Sequence, residues 1–483
     1  MRYTSKHLSS VQALVSVLAI VVLLVLISNQ TMAQVAEIRT YGGDDYDEAV
    51  MCAETSDGYV LVGTTSSAQN GNSDILVQFI LHDLLPYDKI LIGGSAAEQA
   101  KAVLVNNDGT VLILGQIAGG PHGGYDAVLY KITSDGNLLW DKYYGSSAWD
   151  LPSSLIRGGN YLYLGMTTYD SGNGTSNQRI YRLDDQGNEL GYWDYDTLYN
   201  SDLVGLGFNY GYLFSLGNLV LPDGTRIGTG KKIDANMNIV WTRYEQDDLI
   251  EAKTIETSPF GVTFGFDYGD PNDGYRYDNR LVQYKSNGQL WWKKNYDLDG
   301  NQHLTATRWA GAELLYTSTT DIDGFGAEGG LAVKVFYNGG YLSSTIFGLT
   351  GDDAFHHILY DSDNHYVFTG KSSSYSSGDD DFFLVRTSNN TLVSVFEYDE
   401  ENFADGYYTG MIEEQKPSIL VYPNPANDRV FLDQPRPWML FNASGQRLAQ
   451  GVSNEIDVSN LPVGVYLIKD PDNAWQQRLV VER

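Results

Sequence analysis

The sequence contains a single cysteine, Cys52, among its 483 residues. It can therefore form no intramolecular disulfide, and it cannot build a metal site from several cysteine thiolates. Cys52 does not directly follow the N-terminal apolar run, which excludes it as a lipoprotein acylation site. We expect it to be a small buried hydrophobic residue.

Basic residues are scarce, because 31 Lys and Arg stand against 61 Asp and Glu. Such an acidic surface repels phosphates, so no nucleic-acid partner is expected and binding to an anionic membrane is disfavoured. Hydrophobic residues nevertheless make up 42% of the chain, which is enough for real cores. The chain is therefore predicted to be globular, with two or three domains.

Catalytic motifs are also missing. There is no Gly-x-Ser-x-Gly elbow and no phosphate-binding glycine loop, and no pair of carboxylates stands out from the acidic background. Beyond the N-terminal run, no segment keeps a helical period of 3.6 residues, so few helices are expected. The histidines form no ligand set, and the densest group, within residues 351–360, is more typical of turns and hydrogen bonding than of a metal site. The sequence predicts no catalytic residue and no organic cofactor.

A long apolar run is present only near the N-terminus, at residues 13–27, after Arg2 and Lys6. A basic start, an apolar core and small residues before Gln34 are typical of a signal peptide. We predict a signal peptide at residues 1–33, with cleavage between Ala33 and Gln34 and no membrane span in the mature chain. The alternative is an uncleaved anchor, for which the apolar core is slightly short.

The region that follows repeats itself about every fifty residues. A short apolar strand ending in glycine recurs, and in the sixth copy Thr317 replaces the glycine. The glycines are Gly63, Gly115, Gly165, Gly217, Gly265 and Gly370.

Each copy continues with a second apolar strand, a turn such as Asp-Gly or Asn-Gly, and a strand that carries aromatic residues. The turns are predicted to be tight primed turns. Four short strands per repeat in seven repeats predict an all-β, seven-bladed β-propeller at residues 34–399. The blades are predicted to start near Gly42, Gly93, Gly145, Asn200, Asp247, Gly300 and Gly351.

Two segments lie outside this regular pattern. Residues 36–42 form an extra strand that could pair with the last blade and close the ring, which would remove exposed sheet edges. Residues 405–413 resemble the start of another copy, so a partial eighth blade is an alternative to seven complete ones. The repeats are similar to bacterial propellers whose units read Gly-Gly, a strand ending in Gly, Asp-x-aliphatic and Asp-Gly-x-x-x-Trp. This resemblance implies a fold and no activity.

Acidic loops offer candidate calcium ligands, because calcium prefers clustered carboxylates and carbonyls. None has the spacing of an EF-hand, and solvated turns are the alternative interpretation. The candidates are Asp267, Asp270, Asp273, Asp297, Asp299, Asp321 and Asp323.

The composition changes after an acidic linker at residues 400–417. Residues 418–483 contain short strands separated by turns rich in Pro, Asn and Gly, which predicts a small Ig-like β-sandwich. Four motifs stand out in order: Tyr422-Pro423-Asn424-Pro425, a turn ending at Gly445, Leu461-Pro462-x-Gly464-x-Tyr466, and a final basic and aliphatic strand.

These motifs closely resemble the type A C-terminal sorting domain of the type IX secretion system. Arg478 stands where the family commonly has lysine, and two prolines fall in a strand junction. An ordinary Ig-like module is the alternative. The resemblance implies that the type IX machinery is a partner and that the protein is secreted, either extracellular or attached to the outer-membrane surface of a Gram-negative bacterium.

For the propeller itself we expect a non-catalytic binding or adhesion module with a glycan or protein ligand. This expectation rests on the missing catalytic constellation. The alternative is a secreted hydrolase or lyase that acts on polysaccharide, with its acid and base among the many carboxylates.

Overall fold

The chain divides into two compact units, residues 1–409 and 410–483. In the computed structural model, the residues whose structure is described are 36–67, 73–170, 174–246, 250–270, 276–298, 300–321, 328–348, 351–376, 379–387, 396–402, 421–422, 426–442, 447–469 and 476–481. The predicted signal peptide, with its cleavage site at Ala33 and Gln34, lies outside them. The predicted domain limits remain predictions.

The described part of the first unit consists of β-strands. The strands of its first three sheets are β2 (Asp47–Glu54), β3 (Gly58–Thr65), β4 (Asp74–Leu81), β5 (Pro86–Ile92), β6 (Glu98–Val105), β7 (Val111–Ala118), β8 (Tyr125–Ile132), β9 (Leu138–Tyr144), β10 (Asp150–Gly158), β11 (Tyr161–Tyr169), β12 (Ser176–Leu183) and β13 (Glu189–Tyr195). The next three sheets contain β14 (Asn200–Asn209), β15 (Tyr212–Val220), β16 (Arg226–Ile233), β17 (Ile239–Glu245), β18 (Ile250–Ser258), β19 (Gly261–Asp270), β20 (Arg276–Tyr284), β21 (Leu290–Tyr296), β22 (Gln302–Ala310), β23 (Glu313–Thr320), β24 (Gly329–Phe336) and β25 (Tyr341–Phe347). The last sheet contains β26 (Asp353–Tyr360), β27 (Tyr366–Ser372), β28 (Asp381–Thr387), β1 (Ala36–Gly42) and β29 (Phe396–Asn402).

These strands form seven separate sheets, here called blades 1 to 7 in chain order. Consecutive strands pair antiparallel within each blade, and the first strand of every blade contacts the first strand of the next. The contacts run from β2 through β6, β10, β14, β18 and β22 to β26, and β26 contacts β2. The ring is therefore closed, and the predicted seven-bladed propeller is confirmed.

The four strands of a blade are buried to different degrees, because neighbouring blades pack on both of its faces. The second and third strands are almost fully buried, as in β3 and β4, because neighbouring blades cover both sides. The fourth strand β5 is half exposed. The repeated glycine allows this close approach: a β-carbon on Gly63 would lie 2.4 Å from the Phe382 ring of blade 7.

The extra N-terminal strand closes the ring, as the sequence predicted. β1 pairs antiparallel with β28, with Ile38 opposite Val385, and takes the place of the fourth strand in blade 7. Ile38 is fully buried in that blade's core. The chain therefore joins its beginning to its last repeat, so the ring is closed by a sheet built from both ends of the propeller.

The strand that follows β28 in the chain lies one position further out. β29 pairs parallel with β1 and adds a fifth strand to blade 7, because β1 already occupies the fourth position. The possible eighth blade, residues 405–413, lies outside the described residues.

The turns between third and fourth strands differ from the prediction. A type I′ turn needs two residues with positive φ and a type II′ turn needs one at its first central position, but in the turn of blade 2 only the last loop residue, Gly136, has a positive φ, at 80°. Thr133 accepts from Gly136 N and donates to Asn137 O, which describes a three-residue loop with one left-handed residue. Met237 takes the same place in blade 4, with φ 66°. The prediction of primed turns was therefore wrong, although Gly is favoured for the same reason.

A tyrosine at the end of the fourth strand links neighbouring blades. The Tyr144 hydroxyl donates to the main-chain oxygen of Gly187, the left-handed residue in the turn of the next blade, at 2.6 Å. The same bond recurs at three other junctions of the ring, where it ties the outer strand to the next blade. The pairs are Tyr41 with Leu84, Tyr195 with Met237 and Tyr296 with Gly339.

The second unit contains β30 (Val421–Tyr422), β31 (Arg429–Asn442), β32 (Arg447–Asp457), β33 (Gly464–Lys469) and β34 (Gln476–Val481). They form one five-stranded sheet with an irregularity in β31. A parallel bridge between Ala426 and Val481 brings the two ends of the sheet together around one core. This arrangement is consistent with the predicted small sandwich.

Candidate functional site

Every inner strand of the propeller carries a β-bulge at the same place. The register shifts around one residue in the middle of each strand, and that residue is partly exposed whereas the residue before it is buried. A bulge re-aims a side chain, and the bulged residues occupy equivalent, partly exposed positions on the seven inner strands. They are Val50, Lys101, Ser153, Val204, Lys253, Thr305 and His356.

A cavity of about 450 Å³ opens where the inner strands of blades 7, 1 and 2 meet. This volume lies within the range of small-molecule sites in proteins. Most of its lining residues have polar side chains, and they include the bulged residues of all three blades. The lining residues are Tyr46, Glu48, Val50, Thr64, Ser66, Ser73, Gln99, Ala100, Lys101 and His356. We call it the channel-mouth cavity.

Two residues hold the carboxylate of Glu48 in this cavity. The Tyr46 hydroxyl donates to Glu48 Oε2 at 2.6 Å, and His356 Nε2 lies 3.3 Å from Glu48 Oε1. His356 Nδ1 lies 3.1 Å from the main-chain oxygen of Ala49, so the imidazole is anchored at both nitrogens. Burial, followed by the hydrogen bond and charge of Glu48, raises the pKa of Tyr46 far above its usual value. The phenol therefore stays protonated and donates.

Lys101 supplies the positive charge on the opposite wall. Its amine lies 3.2 Å from Gln99 Oε1. Burial lowers the pKa of Lys101, although the charge of Glu48 acts in the opposite direction. The cavity thus presents an anchored carboxylate and a partly desolvated amine, surrounded by the hydroxyl groups of Thr64, Ser66 and Ser73.

Apart from His356, which belongs to the histidine group within residues 351–360, the sequence did not single out these cavity residues. Glu48 and Lys101 lie in ordinary strand segments, and their proximity depends on blades that are far apart in the chain. A signal was present, because the bulged residues recur at the repeat interval. An alignment of the repeats would have placed Val50, Lys101 and His356 in one column.

Asp267, one of the predicted calcium ligands, lies buried beside the channel in blade 5. Its Oδ2 is 2.9 Å from His303 Nδ1 and 3.5 Å from Lys253 Nζ, and its Oδ1 accepts from Leu304 N at 2.7 Å. The hydrogen bond to Asp267 raises the pKa of His303. Protein donors therefore already surround this carboxylate.

Three of the other predicted calcium ligands lie in the described part of the chain. Asp297 lies 3.4 Å from Arg276 Nη2, and Asp321 accepts from the main-chain and side-chain nitrogens of Asn301. Asp270 ends β19. Asp273, Asp299 and Asp323 lie outside the described residues. Among the residues that the structure describes, no group of three His, Cys, Asp or Glu could hold a metal. Calcium binding at these loops remains a prediction.

A cysteine and a histidine meet in the core, although the sequence did not suggest it. Cys52 Sγ lies 3.6 Å from His357 Nδ1. Burial raises the pKa of the Cys52 thiol to about 12 and lowers the pKa of His357 to about 3. Both groups are therefore neutral at physiological pH, and the pair lacks the thiolate that a nucleophilic cysteine needs. Cys52 is 1% exposed and is a buried residue, as predicted.

An aromatic cluster lies on the face of the ring where blades connect, at the junction of blades 2 and 3. Trp149 is 56% exposed and packs edge-on against Tyr125 and Tyr169, with ring centroids 5.6 Å and 6.4 Å apart. Trp149 precedes the inner strand β10, as Tyr46 precedes β2, so both lie on the same face. Most other aromatic residues pack between blades.

In the second unit, the Leu461-Pro462-x-Gly464-x-Tyr466 motif forms a closed turn. The Tyr466 hydroxyl donates to the Pro462 oxygen at 2.6 Å, and Leu461 packs against the core. Gly464 begins β33. The remaining predicted motif residues, Pro423, Asn424, Pro425 and Gly445, lie outside the described residues.

Residues 420–482 match the family described as the secretion system C-terminal sorting domain. The predicted sorting domain is therefore confirmed, and the chain is a secreted cargo of the type IX system with a β-propeller. Its location is extracellular or on the outer-membrane surface of a Gram-negative bacterium, and its sorting domain interacts with the type IX machinery. Within the described residues there is no helix able to span a membrane.

No curated protein matches the sequence. Among solved structures, Drosophila Plexin A in complex with Semaphorin 1b has 9% identity and a TM-score of 0.42, covering 71% of this chain and 87% of that chain. Drosophila Semaphorin 1b, extracellular domains 1-2, has 10% identity and a TM-score of 0.41, with the same coverage. Prolyl oligopeptidase B from Galerina marginata has 12% identity and a TM-score of 0.39, covering 68% of this chain and 46% of that chain.

Proposed function

We propose that the propeller is a non-catalytic module that binds a carbohydrate at the channel-mouth cavity. The observation that carries this proposal is the lining of the cavity, where Glu48, Gln99 and Lys101 meet the hydroxyls of Thr64 and Ser66. Sugar hydroxyls both donate and accept hydrogen bonds, and these side chains include acceptors, donors and groups that do both.

The anchoring of Glu48 favours binding, because an ordered carboxylate loses little freedom when a ligand arrives. Tyr46 donates to one of its oxygens, and His356 contacts the other. A preorganised group binds a ligand more tightly than a mobile one, because its conformational entropy is lost when the protein folds and not when the ligand binds. The cavity volume of about 450 Å³ suits a short segment of a glycan.

The same lining argues against glycoside hydrolysis. Most glycosidases need two carboxyl groups about 5–9.5 Å apart, one as acid and one as base or nucleophile. Among the described residues that line the cavity, Glu48 is the only carboxylate. Tyr46, with its strongly raised pKa, is a poor base. These features support a site that holds its ligand unchanged.

The proposal is tested with a panel of polysaccharides, scored both for retention on immobilised protein and for new reducing ends, with and without a chelator. We expect retention of at least one glycan without product. Formation of new reducing ends would support the hydrolase or lyase alternative and overturn the proposal.

Substitutions in the propeller test whether the glycan binds at the channel-mouth cavity. Glu48→Gln removes the charge of the anchored carboxylate and is expected to weaken retention about tenfold or more, since hydrogen bonds to charged groups contribute about 1.5–3 kcal/mol. Glu251→Gln is the matched control, because Glu251 holds the same strand position in blade 5. Equal retention by wild type and Glu48→Gln would exclude the channel-mouth cavity as the binding site.

A further inference from the structure

Among the described residues, three blade junctions contain a pair of buried carboxylates. One member is the first or second residue of the third strand of a blade, and the other begins the first strand of the next blade. At the junction of blades 7 and 1 they are Asp381 and Asp47, and Ser67 Oγ donates to Asp47 Oδ2 at 3.0 Å.

The other two pairs lie at the next two junctions. At the junction of blades 1 and 2 they are Asp74 and Glu98, which are 2% and 4% exposed. At the junction of blades 2 and 3 they are Asp126 and Asp150, both 0% exposed.

Each of these four carboxylate groups accepts a hydrogen bond from a protein donor. Asp126 Oδ2 accepts from His122 N at 2.8 Å, and Asp150 Oδ2 accepts from Ser146 N and Oγ at 2.6 and 2.9 Å. Asp74 and Glu98 both accept from the main-chain nitrogen of Gly94.

The other oxygens of these groups are buried without a partner. Asp74 Oδ1, Glu98 Oε2, Asp126 Oδ1 and Asp150 Oδ1 accept no hydrogen bond from the residues that the structure describes. No lysine or arginine in the described chain forms an ion pair with any of the four carboxylates. A buried carboxylate oxygen left in this state is costly.

At the junction of blades 2 and 3, the two members of the pair approach each other. A β-carbon placed on Gly145 would lie 2.4 Å from Asp126 Oδ1 and 3.1 Å from Asp150 Oδ2, so both carboxylates reach the same point. Burial raises the pKa of Asp126, and the neighbouring charge of Asp150 adds to the effect. Burial also raises the pKa of Glu98, and the charge of Asp74 adds to that rise. Each junction therefore gathers negative charge in a buried space.

The fold does not require acids at these positions, as the equivalent residues at other junctions show. The register places Asn177 and Ser201 at the junction of blades 3 and 4. The junction of blades 4 and 5 carries Ile227 and Ile250. Since an isoleucine pair closes the same type of junction, the acid pairs need an explanation beyond packing.

We infer that the carboxylate pairs at the junctions of blades 1 and 2 and of blades 2 and 3 each bind a calcium ion between neighbouring blades. Calcium is a hard cation that takes oxygen ligands, and its two positive charges balance the two carboxylates. Main-chain oxygens of the surrounding loops and water complete the coordination. The protein is exported, and extracellular modules bind calcium with dissociation constants of about 10⁻⁴–10⁻³ M. The ions lock blade 1 to blade 2 and blade 2 to blade 3.

The test uses the mature secreted protein stripped with EGTA and then titrated with calcium chloride in a calorimeter. The variant Asp126→Asn with Asp150→Ser reproduces the natural pair of blades 3 and 4. We expect it to bind one calcium equivalent fewer than wild type. We also expect 5 mM calcium to raise the Tm of wild type by at least about 2 °C and that of the variant by less. Magnesium chloride at equal ionic strength should raise the Tm of both wild type and variant less than calcium chloride does.

A second variant, Asp74→Asn with Glu98→Gln, keeps the side-chain shapes and should also lose one equivalent. Glu48→Gln, in the channel-mouth cavity, should keep every equivalent, which separates this inference from glycan binding. An unchanged calcium count in both junction variants overturns the inference. The inference is also overturned if calcium does not change the Tm of the wild type but acidification raises it, because the two carboxyl groups of a pair would then share a proton.

Discussion

The Tyr41 hydroxyl donates a 2.9 Å hydrogen bond to the main-chain oxygen of Leu84. Tyr41 belongs to the N-terminal strand, which lies in blade 7, and Leu84 lies in the last turn of blade 1. The bond repeats at the closing junction the contact that Tyr144 makes with Gly187 at an internal junction. The ring therefore closes with the same interaction that joins its inner repeats.

Tyr41→Phe should lower the free energy of unfolding by about 1 kcal/mol, because a buried carbonyl loses its donor. Tyr144→Phe removes the equivalent bond within the chain and is the matched control. Urea unfolding of both variants measures the effect. We expect similar losses, whereas a loss in Tyr144→Phe alone would show that β1 does not close the ring in solution.

Tyr59→Phe should make the propeller less stable at neutral pH. The Tyr59 hydroxyl donates to Asp361 Oδ2 at 2.6 Å across the junction of blades 1 and 7. Burial opposes ionisation of Asp361, but the hydrogen bonds from Tyr59 and from His365 N hold its pKa below the usual value. A hydrogen bond to a charged group contributes about 1.5–3 kcal/mol, and we expect a loss of this size at pH 7.

The pH dependence of this loss follows from the lowered pKa. The stabilisation from Asp361 is present above its unfolded pKa of about 3.9 and disappears as the pH falls through the lower folded value. Urea unfolding at pH 7 and near pH 2.5 should therefore show a smaller effect of Tyr59→Phe in acid. Tyr210→Phe is the control, because Tyr210 is 69% exposed. An effect that does not change with pH would contradict the role of the ionised carboxylate.

His303 should titrate above its ordinary pKa, since the hydrogen bond to Asp267 favours the imidazolium. Its contribution to stability is present below the unfolded pKa of about 6.5 and is lost as the pH rises through the folded value. Proton NMR should show Asp267→Asn lowering the midpoint, while Glu328→Gln changes it little. If calcium bound Asp267, adding calcium would lower the midpoint in wild type. A midpoint that calcium leaves unchanged would remove Asp267 from the calcium candidates.

Deletion of residues 418–483 should leave the propeller in the periplasm, because the sorting domain directs passage across the outer membrane. Fractionation and immunoblotting measure its location. Tyr466→Ala breaks the hydrogen bond to Pro462 and should reduce export. Val463→Ala changes an exposed residue within the same motif and should be exported normally. Unchanged export of the deletion variant would refute the sorting assignment.

Much of the fold could be predicted because the repeat displays it in local sequence. The strand ending at Gly63 and the turn at Gly136 recur in copy after copy, so the number of blades and of strands in each blade follows from the repeat. The turn type was missed, since Asp-Gly occurs both in primed turns and in the three-residue loops found here. A local sequence does not reveal the number of left-handed residues that the strand register demands.

The candidate site could not be predicted, because its residues come from repeats that closure brings together. Glu48 and His356 lie near opposite ends of the propeller sequence, yet their side chains are 3.3 Å apart. Asp126 and Asp150 look like ordinary turn acids in the sequence. Only the packed junction shows that both are fully buried.

The sequence by itself determined the number of blades and the secretion route, because both depend on patterns that are local in the chain. Strand periodicity repeats in every blade, and the Leu461 to Tyr466 motif is contiguous. Tertiary structure alone decided which polar groups meet, whether in the channel-mouth cavity or at the blade junctions. Ring closure sets those distances, and burial then raises the pKa of Tyr46, Cys52 and Asp126.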